Sequence, residues 1–422
     1  MPRALTLIFA CLLVAPSNSA HAAPSDADLG DIASFLALFP NARTLPAPAF
    51  LVPGVRVSYA TGAASGGIDG VAGGGVLQYD VVARDLRQVT AYLHSYGDIG
   101  AGVFPLATGP ALGYPGIGPF WINPSVLVGA ERFANANLTI SRYQKTIADG
   151  TTLAVIRFQT STANGQTVTE FDTGTGVMVF TSVANSTTSA GQVVLLGLRT
   201  VASPWAADRA PNWAQTGAAL TYTGAHSTTI AAAGTVQQPY AISAQITDAG
   251  ARWSLLHVAT QLNGQNQGAG PAVTGGGQLI GSFWLPVSAL TAQLPATATV
   301  FDTDPFTGAQ LLVQRDPQSG AILLQEATQA ALTSLIYDPT LGVLVRFNQQ
   351  VQQEVSFTED DVSLTGGSDL AALAQQPPLA DDPGANGATG GDGGCAGGPP
   401  PGLLAVFAAA GLTLIRRRRA RA

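Results

Sequence analysis

Two aspartates, Asp172 and Asp338, are the first residues to consider for chemistry, because each follows an aromatic residue and precedes a glycine by four positions. A recurring carboxylate could act as an acid or base, or bind a cation. The residues between, Thr-Gly-Thr and Pro-Thr-Leu, are instead typical of turns in which the carboxylate accepts hydrogen bonds from nearby backbone amides. Gly176 and Gly342 would then adopt a positive φ. The sequence therefore favours structural turns over a catalytic carboxylate or a cation site.

Two tryptophans and two histidines recur as well. Trp121 and Trp284 each follow a phenylalanine and could stack on a ligand, although recurring aromatic pairs more often pack in a core. His94 and His257 each follow a leucine, and no second histidine, cysteine or carboxylate stands at metal-ligand spacing nearby. We expect buried tryptophans, structural histidines and no metal site.

Two acidic segments, 302–308 and 359–361, could bind calcium weakly. The first lacks the third acidic ligand and the final glutamate of an EF-hand, and solvated turns explain both segments. The chain contains no Gly-x-Ser-x-Gly, Walker or His-Glu-x-x-His motif. We therefore expect no catalytic residue and no cofactor, and we do not expect an enzyme.

The charge distribution argues against nucleic acid as a partner. The chain has 19 basic and 26 acidic residues, and six of the basic ones are Arg3 and the five arginines of the extreme C-terminus. The 13 basic residues that remain form no evident basic patch, which binding to phosphates would need. The only cysteines are Cys11 and Cys395, so disulfides are not expected to stabilise the body of the chain.

The body of the chain is an internal duplication. Four short segments recur in the same order, three of them 163 residues later and the fourth 166 residues later. The pairs are 57–59 with 220–222, 93–94 with 256–257, 118–127 with 281–290, and 171–179 with 337–345. So long a period indicates tandem domains, because the repeats of solenoids run about 20 to 50 residues.

The duplication predicts a mainly β fold with two homologous modules, at 53–205 and 214–366. In both, short apolar or alternating runs are separated by Gly, Asn, Asp and Pro at hairpin spacing, which predicts antiparallel strands. We expect strongly curved sheets, as half-barrels or barrels. Few short helices are predicted, at 28–39, 124–130, 287–294 and 328–335.

The N-terminus has the three parts of a secretory signal peptide, at residues 1–22. Arg3 precedes an apolar run, and Ala20-His21-Ala22 is a small-x-small site, which predicts cleavage after Ala22. A lipoprotein signal at Cys11 is the alternative, but the bulky Phe9 lies beside that site. Residues 23–52 would form an N-terminal segment with a short helix.

The C-terminus combines a Gly/Pro-rich spacer at 367–401 with an apolar helix and a basic cluster at 402–422. Cys395 lies in the spacer directly after Gly394. The apolar block 402–415 would reach about 21 Å as a helix, short of the roughly 30 Å hydrocarbon core. The cluster that follows is Arg416, Arg417, Arg418 and Arg419. By the positive-inside rule the arginines stay cytoplasmic, so the body would lie outside, and an uncleaved membrane anchor is the alternative to a removable signal.

This tail resembles the MYXO-CTERM sorting domains of myxobacteria, through Gly394-Cys395, the apolar block and the arginine cluster. Its Gly-Gly pair is also similar to GlyGly-CTERM tails. The resemblance covers about the last 30 residues. It implies processing at Cys395 by a membrane-embedded sorting protease, lipid modification of that cysteine, and delivery to the cell surface.

These observations predict an exported, envelope-anchored, non-enzymatic surface protein with a binding or structural role. Its partners would be the export machinery, the sorting protease and the membrane, through the tail or a lipidated Cys395. A carrier of lipid-like ligands in barrel-like cavities is the alternative, and an extracellular hydrolase is a weaker one.

Overall fold

The computed structural model describes residues 32–64, 71–84, 88–99, 102–162, 165–185, 188–231 and 233–380 of the 422-residue chain. It is mainly β, and its two large sheets are antiparallel throughout, which confirms the predicted fold class. Each sheet is open, with two edge strands, so neither forms the closed barrel that was one of the predicted shapes.

The first module contributes a nine-stranded sheet and a small hairpin. Its strands are β1 (Val55–Ala64), β2 (Val71–Arg84), β3 (Val89–Ile99), β4 (Gly102–Gly113), β5 (Ile117–Gly118), β6 (Trp121–Ile122), β7 (Leu138–Thr146), β8 (Thr152–Thr162), β9 (Gly165–Asp172), β10 (Met178–Asn185) and β11 (Thr188–Thr200). The large sheet has the order β4-β3-β2-β1-β11-β10-β9-β8-β7, and β5 pairs with β6.

The second module contributes a ten-stranded sheet. Its strands are β12 (Ala219–Ile230), β13 (Gly234–Gly250), β14 (Trp253–Leu262), β15 (Gln265–Gly275), β16 (Thr299–Thr303), β17 (Gln310–Arg315), β18 (Ile322–Ala327), β19 (Ala331–Tyr337), β20 (Leu344–Gln352) and β21 (Ser356–Gly367). The order is β15-β14-β13-β12-β21-β20-β19-β18-β17-β16.

Both modules have the same topology. Four strands form a meander, a segment without long strands crosses over, and a second meander ends on a strand that pairs with the first strand of the module. If the strands of each module are matched backwards from its last strand, β11 corresponds to β21 and β7 corresponds to β17. Strand β16, at the sheet edge, is therefore an addition of the second module within the described residues.

The helices are short. They are α1 (Ile32–Leu38), α2 (Val287–Thr291) and α3 (Leu370–Ala374), with 3₁₀ turns at Pro40–Thr44, Pro124–Leu127 and Ala130–Phe133. The helix predicted at 28–39 is present at Ile32–Leu38 within the described residues, and the one predicted at 287–294 is present as the shorter Val287–Thr291. The one predicted at 124–130 is a 3₁₀ turn. None of the helices among the described residues has the length and apolar character needed to cross a membrane.

The helix predicted at 328–335 is wrong, because residues 331–337 form strand β19. Its burial alternates at every residue, with Ala331, Thr333, Leu335 and Tyr337 buried and the residues between them half-buried. This period of two fits a strand that faces a core on one side, and pairing with β18 and β20 outweighs the helix propensity of the local sequence.

Preceding segments of the chain pack on the inner face of each sheet, while the Ile230 end of β12 and the Ser356 end of β21 remain partly exposed. In the first module, Phe35, Leu36 and Phe39 of the α1 region lie in the core with residues of the sheet. The second core takes in Val82, Ala83, Tyr92 and Leu112, which belong to strands of the first module. The two modules therefore share a continuous apolar contact.

Close approach at this contact explains two of the three consecutive glycines at 275–277. A Cβ on Gly275 would lie 2.1 Å from Val82 Cγ1, and one on Gly277 would lie 2.5 Å from the Val81 oxygen. Larger side chains at these positions would push the modules apart.

Residues beyond the predicted second module also belong to the fold. Helix α3 follows β21, and Asp369 caps it by accepting a hydrogen bond from the Ala372 amide at 3.0 Å. Leu370 packs in the second core, so the ordered body extends into the segment predicted as a spacer. The predicted signal residues Ala20 and Ala22 and the sorting residues Gly394, Cys395 and Arg416 to Arg419 lie outside the described residues.

Candidate functional site: a buried charged cluster between the modules

The recurring tryptophans and aspartates form one structural unit in each module. Trp121 makes a β-bridge to Val177, directly after the turn that begins at Asp172, and Trp284 makes the equivalent bridge to Val343. The next backbone amide donates to the turn glycine in each case. Ile122 N lies 2.8 Å from the Gly176 oxygen, and Leu285 N lies 2.9 Å from the Gly342 oxygen.

Both aspartates cap their own turns. One carboxylate oxygen of Asp172 accepts from the Thr175 amide at 2.7 Å, and one of Asp338 accepts from the Leu341 amide at 2.7 Å. Gly176 and Gly342 have φ of +79° and +66°. These hydrogen bonds occupy each carboxylate with its own turn.

Neither tryptophan is accessible to a ligand. Trp121 and Trp284 are fully buried, and each indole N–H donates within the module, to the Tyr114 and Pro115 oxygens at 3.2 Å and to Ser254 Oγ at 3.2 Å. Of the two recurring histidines, His257 is exposed, whereas His94 is buried at the boundary between the modules.

His94 belongs to a group of buried polar residues that sequence reasoning did not bring together. We call it the interface cluster: Arg56, Gln78, Asp80, His94, Tyr96 and Arg199 of the first module, and Asp302, Asp304 and Glu326 of the second. On strands β1 and β2, Val57, Tyr59, Leu77 and Tyr79 point into the first core, so alternation directs Arg56, Gln78 and Asp80 to the opposite face. The second module covers that face.

Arg56 is the centre of the interface cluster. Its guanidinium binds Asp80 with two bonds, Nε–Oδ1 at 2.7 Å and Nη2–Oδ2 at 2.8 Å. Its Nη1 lies 3.6 Å from Asp304 Oδ2 across the module boundary. Gln78 Nε2 donates to the same Asp304 oxygen at 2.9 Å.

Two further contacts cross the boundary. Arg199 binds Asp302 with two bonds of 2.7 Å and reaches Asp304 Oδ2 at 2.9 Å. Tyr96 donates its hydroxyl hydrogen to Glu326 Oε1 at 2.5 Å and lies 2.7 Å from His94 Nδ1. The added strand β16 and the turn after it therefore supply two of the three carboxylates that the second module contributes.

The charges in the cluster stabilise one another. Burial alone would raise the pKa of Asp80, but the charge and hydrogen bonds of Arg56, together with His94, hold that pKa well below its usual range. Burial opposes ionisation of Asp304 too, yet Arg56, Arg199 and the turn amides lower its pKa to about 2. Burial and the neighbouring Glu326 raise the pKa of Tyr96.

Most of the interface cluster is closed to solvent. Arg56 and Gln78 are 0% exposed, Asp304 is 1% exposed and Glu326 is 6% exposed, whereas the side chains of Arg199 and Asp302 at its edge are 20% and 11% exposed. The sequence-based interpretation of 302–308 as a solvated turn is therefore wrong for Asp304, which is buried against two arginines. The described residues contain no group of three or more metal-ligating side chains that could hold an ion.

An accessible polar groove lies elsewhere, on the outer face of the second sheet. It has a volume of about 320 Å³ and is lined by residues of β12, β13, β20 and β21, among them Thr223, Gln237, Arg346 and Asp361. Arg346 binds Asp361 through Nε–Oδ1 at 2.8 Å and Nη2–Oδ2 at 2.6 Å, and the two side chains are 49% and 36% exposed. The acidic segment 359–361 thus belongs to a strand and not to a turn.

Comparison with known proteins finds no matching family model and no matching curated protein. Three solved structures are similar over most of their lengths. The first is a protein of unknown function from the DUF3598 family of Nostoc punctiforme, with 10% identity, coverage of 75% of this chain and 97% of that one, and a TM-score of 0.18. The second is a candidate outer membrane protein from Bacteroides fragilis, with 8% identity, coverage of 74% and 96%, and a TM-score of 0.13. The third is a candidate AttH from Nitrosomonas europaea, with 7% identity, coverage of 73% and 92%, and a TM-score of 0.13. With TM-scores this low, these likenesses carry no argument.

Proposed function

We propose that the chain is an exported, non-enzymatic protein held at the cell envelope, whose two β modules act as one rigid body. The signal peptide at 1–22 and the tail around Cys395 support export and anchoring. The tail would be processed by a membrane-embedded sorting protease, and the membrane would then hold the body through the tail or through a lipidated Cys395.

The observation that carries this proposal is the burial of most of the interface cluster. Enzymes need acids and bases that a substrate can reach. In the described part of the chain, the ionisable residues of the interface cluster are mostly buried, and they bind one another across the module boundary. Such an arrangement supports a mechanical role, in which the cluster keeps the modules in one orientation.

The packing of the two cores also favours a surface protein over a lipid carrier. Phe35 lies in edge-to-face contact with Phe158 at 4.9 Å and with Phe171 at 5.5 Å, so α1 fills the inner face of the first sheet. Tyr92 and Leu112 of the first module occupy the second core. A carrier would need apolar space at these positions for its ligand.

The outer groove of the second module is the proposed binding face. Thr223, Ser227, Gln237 and the Arg346–Asp361 pair present donors and acceptors to solvent, which suits a polar partner.

Localisation and the native C-terminus test the proposal together. We expect membrane-fraction recovery of the intact protein, and mass spectrometry that shows a C-terminus at or near Cys395 with a lipid mass. We also expect no co-purifying lipid inside the body after delipidation of the tail. A soluble periplasmic protein with an intact Cys395 would contradict anchoring, and stoichiometric lipid bound by the body would favour the carrier.

A further inference from the structure

A hydroxyl, an imidazole and a carboxylate line up on the inner face of the second sheet, away from the interface cluster. His226 of β12 lies directly opposite Asp360 of β21, and Nδ1 is 2.6 Å from Asp360 Oδ1. Its other ring nitrogen, Nε2, lies 3.1 Å from Oγ1 of Thr228, two residues further along the same face of β12. We propose that Thr228 is an activated nucleophile that accepts an acyl group, with His226 as its base and Asp360 as the group that orients the base.

The hydrogen bonds select the tautomer that this chemistry needs. A carboxylate accepts only, so it places the proton of neutral His226 on Nδ1. Nε2 is then free to accept the Thr228 hydroxyl hydrogen. This is the order of contacts that activates a hydroxyl in acyl transfer.

The three side chains are accessible, unlike the interface cluster. His226 and Asp360 are each 27% exposed, and Thr228 is half-buried. An ester carbonyl can therefore approach Oγ1 from the solvent side.

Exposed apolar residues beside Thr228 indicate which chemical class of acyl donor the site would accept. Val236 lies directly opposite Thr228 on β13 and is 60% exposed, and Ile230, two residues further on the same face, is 43% exposed. Large apolar side chains at this exposure favour contact with an apolar group. We therefore infer that the donor is an ester with an apolar acyl chain.

The acyl transfer needs only these side chains and the ester. Thr228 Oγ1 bonds to the ester carbonyl carbon while its proton moves to His226 Nε2. The bond from that carbon to the leaving alkoxide then breaks, and Nε2 returns the proton to the departing oxygen. The products are acyl-threonine and an alcohol.

The backbone at Thr228 limits the rate. Thr228 is paired on both sides, with Val236 on β13 and Thr358 on β21, so the local backbone groups are engaged in the sheet. Without spare amides to stabilise an oxyanion, we expect slow acylation of about one equivalent rather than rapid turnover. The site thus goes beyond the proposed function and is compatible with it.

The reaction should have a defined pH dependence. The hydrogen bond to Asp360 raises the pKa of His226 above 6.5, against the effect of burial. The residues that face His226 and Asp360 from the adjacent strands β13 and β20 are Gln238 and Gln349, which are neutral. Protonated His226 cannot accept the hydroxyl hydrogen, so acylation should rise with pH through a midpoint above 6.5.

The test uses p-nitrophenyl butyrate on the purified full chain, with release of p-nitrophenolate and peptide mass spectrometry as readouts. We expect one butyryl group on Thr228. Thr228→Ala should abolish butyrylation and Thr228→Ser should retain it. His226→Ala should slow butyrylation by about 100-fold or more. Asp360→Asn should move the pH midpoint down.

Thr229→Ala is the matched control. Its hydroxyl, on the next residue and the opposite face, lies 2.8 Å from Thr235 Oγ1 and has no imidazole partner in the described structure, so its loss should leave the rate unchanged. Butyrylation that Thr228→Ala and His226→Ala leave unaltered, in variants with wild-type circular dichroism, would overturn the proposal. Repeated turnover that depends on Thr228 would support the site and contradict only the non-enzymatic function.

Discussion

Arg56 of the first module and Asp304 of the second lie with Nη1 and Oδ2 3.6 Å apart, and both side chains are almost fully buried. Each has a further partner of opposite charge, Asp80 for Arg56 and Arg199 for Asp304. Positive and negative groups therefore alternate across the boundary. Removal of one member leaves a buried charge without compensation, which costs far more than the loss of an exposed pair.

Asp304→Asn should destabilise the protein by about 3 kcal/mol or more, because Arg56 and Arg199 lose a shared carboxylate in a buried setting. Asparagine keeps an oxygen that can accept from the turn amides, so the change isolates the charge. Urea unfolding measures the difference in the free energy of unfolding.

Asp316→Asn is the control for this substitution. Asp316 caps the same kind of turn, with its carboxylate accepting from the Gln318 amide at 2.9 Å, but it is only half-buried and the residues that follow it are exposed. We expect a clearly smaller loss of stability there, because no buried charge is left without compensation, and equal effects of the two substitutions would exclude a role for the buried charge.

Acidification should lower the free energy of unfolding over a narrow range of pH. The pKa of Asp304 is lowered from 3.8 to about 2, so folding favours its charged form and the associated stability is present above about pH 4. It is lost as the pH falls from about 4 towards 2, and Asp80, whose pKa is also lowered, acts in the same direction. Unfolding free energies measured across this range should fall with acidification, and less steeply in Asp304→Asn. A protein that gains stability on acidification would refute the charge arrangement.

The duplication and the strand content could be predicted from the sequence, because the anchors recur locally and the runs between them have strand periodicity. The interface cluster could not be predicted from the sequence. Gln78 and Asp304 are 226 residues apart, and they meet only because one sheet docks on the other. Locally, Asp304 has the sequence of an ordinary turn, and the structure does contain that turn, with the Thr307 amide 2.9 Å from Asp304 Oδ1.

The Thr228 site is hidden in the sequence for a similar reason. His226 and Asp360 are 134 residues apart, and the pairing of β12 with β21 closes the module. A partial signal exists, since His226 and Thr228 have the spacing that places both side chains on one face of a strand. The sequence alone does not reveal which carboxylate joins them.

Gly176→Ala should be more harmful than the same change at Gly320. Both glycines end an aspartate turn and have positive φ, of +79° and +75°. A Cβ at Gly176 would lie 1.8 Å from the Ile122 oxygen, whereas the nearest atom at Gly320 is 3.5 Å away. Gly320→Ala should cost about 1 to 2 kcal/mol from the backbone conformation alone, and Gly176→Ala should cost more because the Trp121 segment must move. Thermal unfolding of the two variants would compare them, and equal losses would contradict the close contact.

Phe35→Ala should destabilise the first module by about 3 to 5 kcal/mol, because it removes a buried ring packed on Phe158 and Phe171. Val128→Ala serves as the control, since Val128 is 75% exposed and its loss should change stability by no more than about 0.5 kcal/mol. A Phe35→Ala variant as stable as the control would show that α1 does not fill the inner face.

Differential scanning calorimetry of the purified protein tests most directly whether the modules act as one body. If the interface cluster and the shared apolar contact couple them, the protein will unfold in a single transition whose calorimetric and van't Hoff enthalpies agree. Asp304→Asn should lower the transition temperature or divide the transition in two. Two independent transitions in the unaltered protein would contradict the proposal that its modules form one rigid unit.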